Sequence, residues 1–266
     1  MQNKTGSMRF GMCNLSMVPV RFEPSHKSEM VTQLLFGELF EIIEKTENWS
    51  KVKLIYDQYE GWVDVKQYLP LYNETFEKLH DFGSTISIDI VHVLINETKN
   101  YVIPIVLGSS LPFVVNQTFY IDDHKYSFEG NVRPSKEDVT PEKITENAYM
   151  YLDAPYLWGG RSPFGIDCSG LVQMTYKLSG IKLPRDAGQQ ASCGTTINLL
   201  SEAQAGDLAF FDNEEGIITH VGIILPNNQI IHASGRVRVD SLDHEGIYNV
   251  KKKQYSHKLR LIKRII

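Results

Sequence analysis

Apolar residues fall in short runs over residues 10–70. Val18-Pro19-Val20-Arg21 gives way to a polar turn at Pro24-Ser25-His26-Lys27-Ser28. Residues 30–35 come next, then a Gly37-Glu38 turn, then 39–44, whose apolar positions suit a half-buried strand. Asn48-Trp49-Ser50-Lys51-Val52-Lys53-Leu54 alternates with period two, and Gly61-Trp62-Val63 follows another turn. Strands this short, separated by turn residues, predict a small β-barrel. Residues 73–133 are also strand-like and rich in β-branched side chains, at 84–95, 101–107, 112–115 and 118–120. Turns at Gly108-Ser109-Ser110 and Asp122-Asp123-His124 separate them, so a second, divergent barrel or a strand-rich connector is expected.

The pattern changes at Pro134. Thr140 as N-cap, Pro141 at the first helical position and an early Glu142 predict a helix that runs to about residue 152, where Asp153-Ala154-Pro155 ends it. After a glycine-rich loop over 159–165, Leu171, Val172, Met174, Thr175 and Leu178 keep helical spacing up to Gly180. Cys168 therefore stands at or near a helix N-terminus. Residues 218–225 and 229–234 read as two strands joined at Pro226-Asn227-Asn228, a hairpin. The expected organisation is α+β: a barrel over 1–72, the second barrel or connector over 73–134, and a mixed domain over 135–266.

Composition narrows the function classes. A length of 266 residues suits two or three domains, and 42% apolar content is enough for their cores. A net charge of −5 offers no electrostatic case for nucleic acid or an anionic membrane surface. Basic residues over 251–264 are interleaved with Tyr255, Leu259, Leu261 and Ile262, as in a terminal strand with solvated charges. No apolar stretch reaches the roughly 18 residues that span a bilayer, and the polar N-terminus lacks the core of a leader. A cytoplasmic location is expected, or an exported one if a leader has been removed. Cys13, Cys168 and Cys193 are too few and too scattered for a disulfide framework or a Cys-x-x-Cys zinc site, which fits a reducing compartment.

Cys168 carries the chemistry. The dipole and free N–H groups of a helix start stabilise a thiolate, lower the thiol pKa and can bind an oxyanion. A thiol also needs a base. His220 and His232 lie on the two strands of the hairpin and so can sit side by side, one accepting the proton and the other orienting it. Cys193 and Cys13 have no base nearby in sequence and read as structural. His244 has no second histidine at helical spacing, so no metal and no cofactor is expected.

These residues resemble the NlpC/P60 family of cell-wall peptidases over 140–265. The resemblance rests on Tyr156-Leu157-Trp158-Gly159-Gly160, Asp167-Cys168-Ser169-Gly170-Leu171-Val172, Leu183-Pro184-Arg185, Gly206-Asp207-Leu208, the Phe210-Phe211 pair, Thr219-His220-Val221-Gly222-Ile223 and Ile231-His232-Ala233-Ser234. It implies a papain-like α+β core with Cys168 as nucleophile, His220 as base and His232 as third member. It also implies cleavage between the γ-carboxyl of D-Glu and a diamino acid in peptidoglycan stem peptides. Tyr156 matches a tyrosine near the nucleophile; Trp158, Asp167, Ser169 and Asp186 are expected at the substrate. Arg185 either binds the D-Glu α-carboxylate or braces its turn. Ala187 stands where some relatives have serine.

Residues 10–70 resemble a bacterial SH3 domain, through Val20-Arg21, Gly37-Glu38, Trp49-Ser50-Lys51-Val52 and Gly61-Trp62-Val63. A barrel ahead of such a peptidase resembles the γ-D-glutamyl-L-diamino-acid endopeptidases that act on free murein tripeptides. That implies action on a murein tripeptide or tetrapeptide, with Glu38 and Tyr59 holding the L-Ala ammonium and Glu60 as a rival; a monomer is expected. A wall-remodelling hydrolase anchored by its barrel, or an inactive wall-binding protein, are the alternatives.

Overall fold

Period-two alternation in the sequence becomes alternating burial. Along Trp49–Leu54, Ser50, Val52 and Leu54 are buried while Trp49, Lys51 and Lys53 stay half-buried. The computed structural model describes residues 8–81, 84–112, 114–134, 139–250 and 252–266, which divide into two units, Met1–Ser135 and Lys136–Ile266.

The first unit begins with an antiparallel seven-stranded sheet. Its spatial order is Met30–Leu35, Met17–Arg21, Glu60–Asp64, Trp49–Leu54, Leu39–Lys45, Phe10–Met12 and Leu69–Leu71. Val20, Leu34, Phe40, Val52 and Val63 form its core, and Cys13 is buried among them with its thiol against the Leu15 carbonyl at 3.3 Å.

The middle segment departs from expectation in two ways. Asn73–Asp81 is a helix, not a strand. Phe76 and Leu79 are three residues apart and turn the same way, onto the core, and Phe76 stacks on Phe10 at 3.7 Å. The expected strand over 84–95 is two strands in different sheets. Ser84–Ser87 lies between Ser110–Pro112 and Val132–Pro134, whereas Val91–Asn96 lies between Tyr101–Val106 and His124–Phe128. Between the two, the Asp89 carboxylate accepts bonds from the Asn131 backbone and side chain at 2.7 and 2.9 Å, which holds the break. The strand expected over 112–115 is Ser110–Pro112; Phe113 lies outside the described residues. Met12, Phe36 and Leu71 share one core with Leu94, Ile105 and Phe119, so the middle segment completes a hydrophobic interior with the first sheet.

In the second unit the helix Pro141–Tyr149 starts at Thr140, whose side chain accepts from the Lys143 N–H, and ends at Met150, short of the expected residue 152. Cys168–Lys177 is the central helix, and a short helix Ala187–Gln190 follows. The sheet runs Gln254–Arg264, Leu208–Asp212, Ile218–Leu225, Gln229–Ser234, Arg236–Leu242, Gly246–Asn249, and the last of these pairs back to Gln254–Arg264, closing a barrel. Thr195–Ile197 joins the same long strand further along. One strand can serve both ends of the sheet only if it bends, and the register shifts between Phe210 and Phe211 and between Ile247 and Tyr248.

Gly246 makes this closure possible. Its φ is +144°, and a Cβ there would lie 1.9 Å from the His257 carbonyl oxygen. Gly246→Ala should therefore lower the unfolding free energy by about 2 kcal/mol or more in denaturant titration; an unchanged midpoint would show that the closing strand tolerates displacement.

Candidate active site

Strand register assembles the histidines. Asn227 and Asn228 take φ of 60° and 54°, a conformation asparagine tolerates, and reverse the chain between the strands Ile218–Leu225 and Gln229–Ser234. Gly222 then pairs with His232, and His232 pairs on its other side with Arg238. Side chains alternate, so His220, Gly222, His232, Arg238 and Asp240 share one face of the sheet. A Cβ on Gly222 would meet His232 Cβ at 2.9 Å, so the missing side chain gives the imidazole its room.

The rings connect through their nitrogens. His220 Nε2 and His232 Nδ1 are 2.8 Å apart. His232 Nε2 lies 3.1 Å from Asp240 Oδ2, and Arg238 donates to Asp240 Oδ1 at 2.6 Å. His257, from the barrel-closing strand, stacks on His220 with ring centres 4.1 Å apart. With Nε2 engaged, Nδ1 is the His220 nitrogen left to take a proton. The three histidines bring one nitrogen each within 4.8 Å of one another, a spacing a metal could bridge. Tetrahedral zinc ligands stand about 3.3 Å apart, however, given bonds of roughly 2.05 Å; the shorter contact is a hydrogen bond, and a metal there would consume the base.

The nucleophile sits on a braced turn. Asp167 caps the Cys168–Lys177 helix, accepting from the Gly170 N–H at 2.7 Å, and accepts from the Gly159 N–H at 2.8 Å. Arg185, 2% exposed, donates to both Asp167 oxygens and to the Ser169 hydroxyl. This is a buried charge pair, whose disruption on one side typically costs about 3–5 kcal/mol. Gln190 adds bonds to the Ser169 and Pro184 carbonyls. Backbone N–H groups of Val221 and Ser169 reach the Cys168 sulfur. Val221 directly follows His220, so the thiol lies against the strand that carries the base.

Electrostatics corrects one expectation. Burial, and then the Asp167 charge, push the Cys168 thiol up to about 11, outweighing the pull of the Val221 and Ser169 N–H groups and Arg185. The helix start is present, but its capping carboxylate opposes it. His220 is held well below 6.5 by burial and by His257 and His232. The resting pair is thus a neutral thiol and a neutral imidazole, and attack requires proton transfer to His220 as the sulfur–carbon bond forms. Burial raises the Tyr156 phenol to about 12, with Cys168 and Asp167 adding to it, so it keeps its proton and can donate to an oxyanion.

Other expected residues are placed as follows. Trp158 is exposed, and Asp186 is exposed at the start of the short helix, its N–H donating to Gln189 Oε1 at 3.3 Å. Cys193 is half-buried with its thiol near the Gln189 carbonyl, and His244 is exposed. In the first unit Glu38 is 4% exposed, not in water, and accepts from the Leu35 N–H at 2.9 Å; Tyr59 is half-buried beside Asp57. Sequence reasoning missed Asp240, Arg238 and His257. The alternation Arg236-Val237-Arg238-Val239-Asp240 signals a strand, and counting back from Gly235 would have put Arg238 opposite His232. No local signal places His257.

Known proteins resemble this chain. The pattern of the NlpC/P60 family matches residues 153–257, and that of the bacterial dipeptidyl-peptidase Sh3 domain matches 20–67. Dipeptidyl-peptidase 6 of Lysinibacillus sphaericus is 31% identical over 247 residues, 84% of this chain and 88% of that one. The chain belongs to the NlpC/P60 family. It is a cysteine peptidase with an N-terminal bacterial SH3 domain. The γ-D-glutamyl-L-lysine dipeptidyl-peptidase of Bacillus subtilis is 28% identical, covering 88% of this chain and 78% of that one. The crystal structure of an NlpC/P60 family protein from Bacillus cereus superposes with a TM-score of 0.83 at 19% identity, over 96% of this chain and 99% of that one, and so shares the fold. The probable endopeptidase p60 of Listeria seeligeri is 42% identical, but only over 104 residues, 39% of this chain and 20% of that one.

In this NlpC/P60 peptidase His220 and His257 titrate lower when folded than when unfolded, His257 at about 4 because of burial and then His232. Below their ordinary 6.5 the unfolded chain therefore takes up protons that the fold refuses. Thermal stability should be full above that pH and decline as pH falls toward 4. Melting curves across this range should show the decline, and His257→Phe, which keeps the stack, should flatten it.

Proposed function

We propose that this peptidase hydrolyses the bond between the γ-carboxyl of D-Glu and the diamino acid in murein stem peptides whose L-Ala amine is free. One observation carries the reading. Relatives named γ-D-glutamyl-L-lysine dipeptidyl-peptidase and dipeptidyl-peptidase 6 match across both units, at 88% and 84% of the chain, while a relative named for endopeptidase activity alone matches 39%. Likeness that extends through the SH3 domain favours the activity in which that domain has a part.

The chemistry follows from the neutral pair. Cys168 Sγ attacks the γ-carbonyl while His220 Nδ1 takes the thiol proton, and the carbonyl oxygen becomes an oxyanion near the helix start and Tyr156. Collapse breaks the C–N bond, and His220 returns the proton to the leaving amine. A water, deprotonated by His220, then cleaves the thioester and releases L-Ala-D-Glu and Cys168. Asp167, Ser169 and Trp158 contact the D-Glu portion in this reading, with Arg185 and Asp186 holding the wall behind it. Glu38 and Tyr59 read the ammonium, and such a reader confines the enzyme to soluble peptides, as in murein recycling in the cytoplasm.

The test is a panel of L-Ala-γ-D-Glu tripeptides ending in diaminopimelate or lysine, free and N-acetylated. Cleavage of the free peptide, loss of it in Cys168→Ala, and a fall of about 10- to 100-fold in kcat/KM on acetylation are expected, the range set by one charge-assisted hydrogen bond. Tyr59→Phe and Glu38→Gln should narrow that difference. Equal cleavage of acetylated peptide, or efficient cleavage of intact sacculi, would replace this reading with that of a wall-remodelling hydrolase.

A further inference from the structure

A base works only if the nitrogen facing the nucleophile is bare. A neutral imidazole carries one proton on one of two nitrogens, and the partner of the far nitrogen decides which. In this protein the far nitrogen of His220 meets a second imidazole, which has the same ambiguity. A chain of two histidines alone can run either way. In one sense His220 Nδ1 is bare and can accept the Cys168 proton; in the other it is protonated and cannot.

We propose that Asp240, held by Arg238, is a positioning residue that fixes the tautomer of the His220 base through the intervening ring of His232. A carboxylate accepts and has no proton to give. Asp240 Oδ2, 3.1 Å from His232 Nε2, therefore requires the proton of His232 on Nε2. His232 Nδ1 is then bare, and its 2.8 Å contact is an acceptance from His220 Nε2–H. His220 Nδ1 is left with a lone pair. Arg238 sets the direction at the far end: it can only donate, and it takes Asp240 Oδ1 at 2.6 Å. Burial works against the Asp240 charge, but the bonds from His232 and Arg238 outweigh it and hold the carboxyl below its ordinary range. His257 is the other titratable ring facing this chain, stacked on His220, and burial holds it down at about 4, so it is neutral at neutral pH. The register that pairs His232 with Arg238 brings Asp240 within reach, two residues further along the same strand. The inference concerns the proton and not the peptide, and holds whichever amide is cut.

Asp240→Asn separates this role from mere packing. An amide has one acceptor oxygen. Arg238 claims it, so the NH2 group turns to His232 Nε2 and the whole chain reverses, placing a proton on His220 Nδ1. Removing the competing donor as well, in Arg238→Met/Asp240→Asn, lets the amide oxygen turn to His232 and restores the productive direction. Imidazole nitrogen NMR of the full chain should find the His220 proton on Nε2 in the wild type, on Nδ1 in Asp240→Asn, and on Nε2 again in the double variant. The rate of Cys168 alkylation by iodoacetamide, followed by mass spectrometry, needs no peptide substrate. It should fall with kcat in Asp240→Asn, kcat by on the order of 100-fold, less than the loss when the partner of the base itself is changed. The double variant should recover at least about tenfold of it. A proton on His220 Nδ1 in the wild type, an unreversed tautomer in Asp240→Asn, or a double variant no better than the single would overturn the assignment.

Discussion

Both reacting side chains are buried, and a buried group resists charge. Cys168 and His220 are each 7% exposed or less, and the ionised form of each is disfavoured where it stands. For the thiol, the rise from 9.0 to about 11 corresponds to about 3 kcal/mol against a free thiolate. A standing thiolate–imidazolium pair would have to offset both penalties by its own attraction before any substrate arrived. Burial thus favours a neutral resting site, in which charge separates as the attack proceeds. Each polar group around it serves that moment. The Tyr156 phenol keeps its proton beside the Cys168 and Asp167 charges, and Asp240 lies behind His220 through His232.

The same resistance shapes the nucleophile side. Asp167 must cap its helix from within the protein, so its carboxylate needs compensation. Two backbone N–H groups, the Ser169 hydroxyl and the Arg185 guanidinium supply it. The result is a rigid turn under Cys168, and its consequence is electrostatic: the carboxylate that secures the helix start also cancels part of the positive end that a bare start would offer the sulfur. Rigidity is gained at the expense of thiol acidity, and a general base becomes necessary. The base is supplied by the barrel, whose closure also brings His257 onto its face and helps keep it neutral.

The two units depend on burial in different ways. In the first, the leading sheet has its own interior around Val20, Leu34, Phe40, Val52 and Val63, and a second core forms where Met12, Phe36 and Leu71 pack with side chains of the middle segment and the helix Asn73–Asp81 contributes Phe76 and Leu79. In the second, barrel closure joins the ends of one sheet. Every member of the proton chain, from Cys168 to Arg238, belongs to that second unit, and so the hydrolytic chemistry is complete within it.

Local sequence determined the parts whose signals are local. Alternation around Trp49–Leu54 gave strands, Thr140-Pro141 a helix start, and the order of Cys168, His220 and His232 a thiol with two imidazoles on a hairpin. Those signals survive because period and capping depend on residues within a few positions of one another. The helix Asn73–Asp81 was hidden by β-branched neighbours, and the break at Asp89 depends on Asn131, far along the chain. Tertiary structure alone decided the rest. The thiol pKa follows from how deeply Cys168 is buried and on which side Asp167 lies. Asp240 reaches His232 only through strand register, and His257 reaches His220 only through barrel closure. A sequence names the groups that can move a proton; the direction of movement depends on distances and burial, which arise only when separate strands are brought side by side.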